Sequence, residues 1–174
     1  MTMSVRILGD PVLKQPAKPV VDFDRALRLL ADEMIEAMYA ANGVGLAAPQ
    51  VGLSVQVFTY DDGETGPRFI ANPELSDLEG ETVLDEGCLS IPGPYYPTAR
   101  AERVRIAGRD LKGEPVEIEA GGLLARIFQH ETDHVNGMLF IDRLSEEDRR
   151  QAMADLRERD LGAPDGRSRR VGGR

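Results

Sequence analysis

Apolar residues recur at three- and four-residue steps in two long stretches of the chain. In the first stretch, from about residue 24, they are Leu27, Leu30, Ala31, Met34, Met38 and Ala41. In the second, from about 122 to 136, they are Leu123, Leu124, Ile127, Phe128 and Val135. This spacing places the apolar side chains on one face of a helix. Because Gly43 and Gly137 follow the two stretches, we predict two core-packing helices that end near these glycines.

Short apolar runs elsewhere indicate β-strands. They cover residues 55–60, 68–72, 81–84, 103–106 and 116–119. The last two runs alternate apolar and polar residues on either side of Lys112 and Gly113, which favours a β-hairpin. A mostly charged helix is predicted to begin at Ser145. Together these elements predict an α+β fold, with short, mainly antiparallel strands packed around the helix at 122–136 and a further helix near the C-terminus.

Composition and net charge limit the possible domain organisation, partners and location of the protein. The 174 residues, 41% of them hydrophobic and 29% charged, suit one domain over residues 1–161. Residues 162–174, which contain four arginines and only one acid, are expected to form a disordered basic tail. A net charge of −9 argues against binding to DNA. With neither a signal peptide nor a membrane span in the sequence, we expect a cytoplasmic protein without membrane contact.

The chemistry of the chain is concentrated in two short motifs. Cys88 is the only cysteine, and His130 and His134 are the only histidines. On a helix, residues four apart lie on one face and about 6 Å apart along the axis, so both imidazoles can bind one metal ion. Glu131 can then reach a water molecule on that metal. No further cysteine or histidine remains to close the site, and an open position is typical of a catalytic metal.

Simpler explanations exist for each feature alone. A His-Glu-x-x-His match can arise by chance, Cys88 could be a small buried hydrophobe, and residues 43–50 could form only a tight turn. Glu86 and Asp133 are expected either to orient neighbouring ligands or to be ordinary solvated acids. Taken together, these explanations do not account for the absence of histidine and cysteine elsewhere.

Three segments together resemble the peptide deformylase family. They are residues 43–50 (GVGLAAPQ), 86–90 (EGCLS) and 129–134 (QHETDH), and residues 7–13 (ILGDPVL) are similar to the family's N-terminal arm. The resemblance extends from about residue 5 to 143. It implies metal-dependent hydrolysis of the N-formyl group from the N-terminal formylmethionine of newly made polypeptides, with release of formate.

The resemblance also assigns the metal site. It implies that Cys88, His130 and His134 bind one divalent metal ion and that Glu131 is the general acid/base. In the cell the family's ion is Fe(II), with Zn(II), Ni(II) or Co(II) as substitutes, all of which suit two imidazoles and one thiolate.

Further roles concern the substrate. The resemblance implies that the side-chain amide of Gln50 and the backbone N–H of Leu89 stabilise the oxyanion, and that Val44 and Gly45 line the substrate groove. Ile127 lies three residues before His130, so helical spacing predicts that it helps to form the pocket for the methionine side chain. Residues 94–100 depart from the family's more compact stretch after the cysteine motif, which leaves the contacts on that rim of the groove open.

The expected partners are N-formylmethionyl nascent peptides, with transient contact to the ribosome, and the protein is expected to be a monomer. Two alternatives compete with this function. A metallopeptidase uses the same helical motif, although its third ligand would then be a cysteine upstream. A non-catalytic metal-binding regulatory module would instead require a fourth protein ligand and would show no turnover.

Overall fold

The computed structural model describes residues 3–162, which form three α-helices and seven β-strands. The helices are α1 (Arg25–Ala40), α2 (Gly122–Val135) and α3 (Glu146–Gly162). The strands are β1 (Gly45–Ala47), β2 (Val57–Tyr60), β3 (Arg68–Glu79), β4 (Thr82–Cys88), β5 (Ile91–Arg100), β6 (Arg103–Arg109) and β7 (Pro115–Gly121). Gly162, the first residue of the predicted basic tail at 162–174, ends α3, and the rest of that predicted tail lies outside the described residues. Within residues 3–162, no helix has the length and apolar content that a membrane span requires.

The strands form two antiparallel sheets. Five of them pair in the order β1-β2-β3-β6-β7, and β4 pairs with β5 in a separate two-stranded sheet. Among residues 3–162, strand β1 is an edge strand of the larger sheet, because Gly45 pairs with Tyr60 and Ala47 pairs with Phe58 on one side only. The other edge of β1 is therefore available for pairing with another segment.

Helix α2 packs against the five-stranded sheet through an aromatic and aliphatic core. Phe128 contacts Tyr60 edge-to-face, with ring centroids 5.0 Å apart, and Phe58 at 6.2 Å. Ile127 belongs to the same buried cluster, together with Ile106 from β6. One face of α2 is thus fixed by the sheet, which leaves its other face directed towards β4 and β5.

The structure confirms the α+β class, the central helix and the helix near the C-terminus. The side chain of Asp24 caps α1 by accepting from the Leu27 N–H at 3.1 Å, which fits the predicted start of that helix. Strands β6 and β7 form the predicted hairpin, and Gly113 adopts the left-handed φ of +82° that its turn requires.

Strand β5 (Ile91–Arg100) was not predicted from the sequence. Its three prolines at 92, 94 and 97 indicate a loop, because proline cannot donate a hydrogen bond within a sheet. Both strands of a two-stranded sheet are edge strands. Proline is therefore tolerated at positions where the backbone nitrogen faces away from the partner strand. The predicted strand at 68–72 likewise continues to Glu79, with irregular pairing to β6 after Ala71.

Candidate active site

Three metal-binding side chains converge where β4 ends against α2. Cys88 is the last residue of β4, and His130 and His134 lie one turn apart on α2. The Cys88 Sγ atom is 3.3 Å from His134 Nε2, and the two Nε2 atoms are 3.1 Å apart. Two nitrogen ligands at about 2.0–2.1 Å from one tetrahedral ion would be about 3.3 Å apart. The three donor atoms, all within 4.8 Å of one another, therefore fit a single ion.

Both imidazoles direct Nε2 towards the other donor atoms of the site. His130 Nδ1 lies 2.5 Å from Glu86 Oε1, so in the neutral ring Nδ1 is the donor and Nε2 carries the lone pair. Burial lowers the pKa of His130, but its hydrogen bonds to Cys88 and Glu86 raise it well above the ordinary value, so a metal ion would have to displace the Nε2 proton. Burial and the neighbouring His130 lower the pKa of His134 well below its ordinary value, which keeps that imidazole neutral near pH 7. The His130 ring also stacks on Phe140, with ring centroids 6.4 Å apart.

A buried network of arginines and carboxylates surrounds Glu86. Its carboxylate accepts from Arg100 Nε at 3.1 Å, Arg100 Nη2 at 2.6 Å and Arg126 Nη1 at 2.9 Å. Arg100 Nη1 also donates to Asp133 at 2.6 Å. Burial by itself would raise the pKa of Glu86, but hydrogen bonds from His130 and Arg100 hold it below its usual range. Glu86 and Asp133 are therefore buried partners of arginine and not solvated acids.

Glu131 occupies a different environment, between α2 and β1. A Cβ atom added to Gly45 would lie only 2.5 Å from Glu131 Oε1, so a larger residue at position 45 would displace the carboxylate. Glu131 Oε2 is buried and has no hydrogen-bond partner within residues 3–162. Burial raises the pKa of Glu131 to about 7, although a bound cation would lower it. Such a pKa suits proton transfer near neutral pH.

The amide of Gln50 is oriented by its own local structure. Its Oε1 atom accepts from the Ala47 N–H at 2.9 Å, which identifies the other terminal atom as the donor. That donor, Nε2, lies 3.2 Å from Ser90 Oγ and 3.6 Å from Cys88 Sγ. Leu89 lies in the two-residue turn between β4 and β5. The structure therefore places Gln50 Nε2 and Leu89 beside the proposed metal ligands.

A groove of about 500 Å³ opens onto these groups. Val44, Gly45 and Ile127, the residues predicted to contact the substrate, line it together with Gln50, Cys88, Leu89, His130 and Glu131. His134 is only 1% exposed and lies behind them. The structure thus gathers all nine predicted site residues at one place, eight of them on the wall of the groove.

Several groove residues were not found from the sequence. Tyr95 and Leu123 line the groove while remaining 71% and 55% exposed, so their apolar surfaces are accessible to a ligand. A Cβ atom at Gly87 would lie 2.6 Å from the Tyr95 ring, which places that ring over the cysteine motif. Arg126 could have been predicted as a groove residue, because it lies four residues before His130 on the same helix face.

Comparison with known proteins agrees with this geometry. A model of the polypeptide deformylase family matches residues 2–150. A peptide deformylase of Acidothermus cellulolyticus is 54% identical over 155 residues, which are 88% of this chain and 85% of the relative. The crystal structure of a peptide deformylase from Legionella pneumophila is 41% identical, covers 95% of this chain and 100% of that chain, and superposes with a TM-score of 0.88. The peptide deformylase structure from Thermus thermophilus, also 41% identical, covers 91% and 95% of the two chains with a TM-score of 0.86. The chain therefore belongs to the polypeptide deformylase family.

Proposed function

We propose that the residues gathered around Cys88 carry out the reaction of this family. As a member of it, the protein is a metal-dependent hydrolase that removes the N-formyl group from new polypeptides. The observation that carries the residue assignment is the convergence of Cys88 Sγ and two imidazole Nε2 atoms beside the buried Glu131. The substrate is the N-terminal formylmethionine of a nascent chain, and the products are formate and a free amine.

Cys88, His130 and His134 would hold one divalent metal ion, which we propose to be Fe(II) in the cell, with Zn(II), Ni(II) or Co(II) as substitutes. Two imidazoles and one thiolate suit each of these ions. When bound, the ion acts as a Lewis acid that lowers the pKa of water towards neutrality. The side chain of Glu86 fixes the His130 tautomer that this ligation needs.

Glu131 holds and moves the proton. Its buried carboxylate accepts a proton from the attacking water and returns it to the leaving amine as the C–N bond breaks. Burial raises the pKa of Glu131 in the metal-free site, whereas a bound cation would lower it. Its position against Gly45 holds the carboxylate at the wall of the groove, where the formyl group would enter.

Gln50 and Leu89 stabilise the negative charge that develops on the formyl oxygen. The Ala47 N–H binds the amide oxygen of Gln50 and so fixes Nε2 as the donor. A substrate oxygen would replace Ser90 Oγ or Cys88 Sγ as an acceptor of that donor. The backbone N–H of Leu89 is the second donor. Such donors, fixed before the reaction begins, contribute roughly a hundredfold or more each to turnover.

The groove accommodates an extended peptide. The free edge of β1, which begins at Gly45, and the preceding Val44 would pair with the substrate backbone as an added strand. Ile127 would contact the methionine side chain, since it lies on the groove wall three residues before His130. The small residue at position 45 allows the backbones to approach closely.

The remaining expectations concern the whole molecule. We propose that residues 1–161 form one catalytic domain of a monomer that acts in the cytoplasm, where nascent chains are made. Contact with the ribosome is proposed through the region after Ser145. Cosedimentation with ribosomes that is unchanged after deletion of residues 145–174 would remove that contact.

The decisive assay compares N-formylated, N-acetylated and unformylated methionyl peptides of the same sequence. Release of formate from the first alone supports the proposed function. Cleavage of internal peptide bonds would favour a metallopeptidase. Absence of turnover in protein prepared anaerobically with one equivalent of metal would favour a regulatory module.

A further inference from the structure

Arg100 is a buried side chain outside the recognised motifs. Its side chain is only 3% exposed, and it lies at the end of β5. All three guanidinium nitrogens are engaged: Nε and Nη2 donate to Glu86 at 3.1 and 2.6 Å, and Nη1 donates to Asp133 at 2.6 Å. A single cation therefore joins two buried carboxylates.

The two carboxylates belong to the two elements that supply the metal ligands. Glu86 lies on β4, two residues before Cys88, and Asp133 lies on α2, directly before His134. Strand β4 is part of the two-stranded sheet, whereas α2 packs against the five-stranded sheet. Arg100 thus connects the element with the thiolate to the element with the imidazoles.

Glu86 couples Arg100 to the proposed metal ligand His130. The same Oε1 atom that accepts from Arg100 Nη2 also lies 2.5 Å from His130 Nδ1. A displacement of the Glu86 carboxylate would therefore rotate or release the His130 ring. Arg126, on α2, also donates to Glu86, at 2.9 Å, and so forms a second link between α2 and β4. Its other hydrogen bonds reach Thr82 and Thr98. Of these two arginines, Arg100 is therefore the one that also holds Asp133, beside His134.

We propose that Arg100 is a positioning residue that fixes the separation between Cys88 Sγ and the two imidazoles, and so sets the affinity and geometry of the metal site. The inference rests on the proposed metal site. An arginine is needed because its planar fork can bind one carboxylate through two nitrogens and a second carboxylate through the third. A lysine carries the same charge on one nitrogen, which cannot hold both acids in these positions.

Arg143 provides a matched control. It donates to the same Asp133 carboxylate, at 2.7 and 3.1 Å, but its side chain is 45% exposed. It makes no hydrogen bond to Glu86 within the part of the chain that the structure describes. Substitution of Arg143 by lysine therefore disrupts a two-nitrogen contact with Asp133 without affecting the bridge to Glu86.

The experiment titrates Co(II) into metal-free wild type, Arg100→Lys and Arg143→Lys in competition with a chelator. The thiolate-to-cobalt absorption band reports the geometry, and thermal unfolding of each metal-free protein reports the fold. We expect Arg100→Lys to raise the Co(II) dissociation constant roughly 10- to 100-fold and to alter the band. We expect Arg143→Lys to change the Co(II) dissociation constant by less than about fivefold, since a half-exposed ion pair contributes little.

A purely structural role for Arg100 would lower the unfolding temperature but leave the spectrum and the affinity unchanged, and that result would overturn the proposal. If Arg100→Lys does not fold, Asp133→Asn tests the same bridge from the other end, and wild-type affinity in that variant overturns it equally. Failure of the wild type to bind Co(II) would instead refute the proposed metal site on which the inference rests.

Discussion

Glu86 and Glu131 are both buried beside His130, yet their surroundings differ. Glu86, on β4, receives hydrogen bonds from Arg100, Arg126 and His130, and its pKa lies below the usual range even though burial opposes this. Glu131, on α2, has one oxygen without a partner within residues 3–162, and burial raises its pKa to about 7. The number of donors, and not burial alone, decides which carboxylate stays charged and which can exchange a proton.

The two environments imply different tasks. A carboxylate that remains charged at every ordinary pH can anchor arginines and a histidine tautomer, but it cannot exchange protons near pH 7. A carboxylate whose pKa is close to 7 can do so, provided that it faces the substrate. Substitutions at the two positions should therefore have different consequences.

Substitution of Glu131 should have the greatest effect on turnover. Glu131→Gln removes the proton acceptor but keeps the volume and the neighbouring ligands, so kcat/KM for a formylmethionyl peptide should fall roughly 10²–10⁴-fold. Formate release measures the rate, and metal analysis should find wild-type metal content. Activity within about tenfold of the wild type would place the proton transfer elsewhere.

Substitution of Glu86 should mainly lower the free energy of unfolding. Glu86→Ala leaves the buried Arg100 and Arg126 without their shared partner, and such a loss destabilises a fold by about 3–5 kcal/mol. Urea unfolding of the metal-free protein measures this change. Glu119→Ala is the control, because it removes an exposed partner of Arg105 and should leave the unfolding midpoint nearly unchanged. Equal shifts in the two variants would mean that the buried network contributes no more than a surface pair.

The two acids should also have opposite effects on pH dependence. The folded-state pKa of Glu131, about 7, is above the unfolded value of about 4.3. Its effect on the stability of the metal-free protein is therefore most favourable below pH ~4.3 and is lost as the pH rises through 7. Relative to the wild type, metal-free Glu131→Gln should gain roughly 2–3 kcal/mol between pH 5 and pH 8, measured by urea unfolding.

For Glu86, whose folded-state pKa is depressed, the sign is reversed. Its stabilising contribution is fully present above the unfolded pKa of about 4.3 and is lost as the pH falls towards the lower folded-state value. The deficit in the unfolding free energy of Glu86→Gln should therefore be constant from pH 6 to pH 8 and shrink below pH ~4. A deficit that grew on acidification would contradict the opposite assignment of the two acids.

A substitution on the groove wall tests the proposed substrate contact. It introduces a third carboxylate into the groove. Ile127→Asp removes apolar surface from the proposed methionine pocket, so KM for formylmethionyl peptides should rise on the order of tenfold or more. Ile127→Leu keeps the volume and is the control. An unchanged KM in Ile127→Asp would rule out this placement of the methionine side chain.

The elements with strong periodicity and the chemical motifs could be predicted from the sequence. Both long helices begin and end close to their predicted residues, because Asp24 and the glycines at 43 and 137 mark their ends. Cys88 and the two histidines could be identified because no other residues of these types occur in the chain. The structure brings them together as expected.

The arginine network could not be derived in the same way. Arg100 and Asp133 are 33 residues apart, and a single sequence contains no sign of which arginine pairs with which acid. Arginines are mostly exposed, so Arg100 looks like a surface residue until β5 is known to exist. That strand was not predicted because its prolines are untypical of a strand that pairs with a neighbour such as β4. Without the strand, the position of Tyr95 over the groove could not be predicted either.

The most direct measurement is an anomalous difference map from crystals of the anaerobically metal-loaded protein, collected at the absorption edge of the metal. We expect one peak within bonding distance of Cys88 Sγ, His130 Nε2 and His134 Nε2, with no fourth protein atom as a ligand and the Glu131 carboxylate next to the open position. A peak elsewhere, or direct ligation by Glu131, would contradict the assignment of Glu131 as the proton-transferring group of this site.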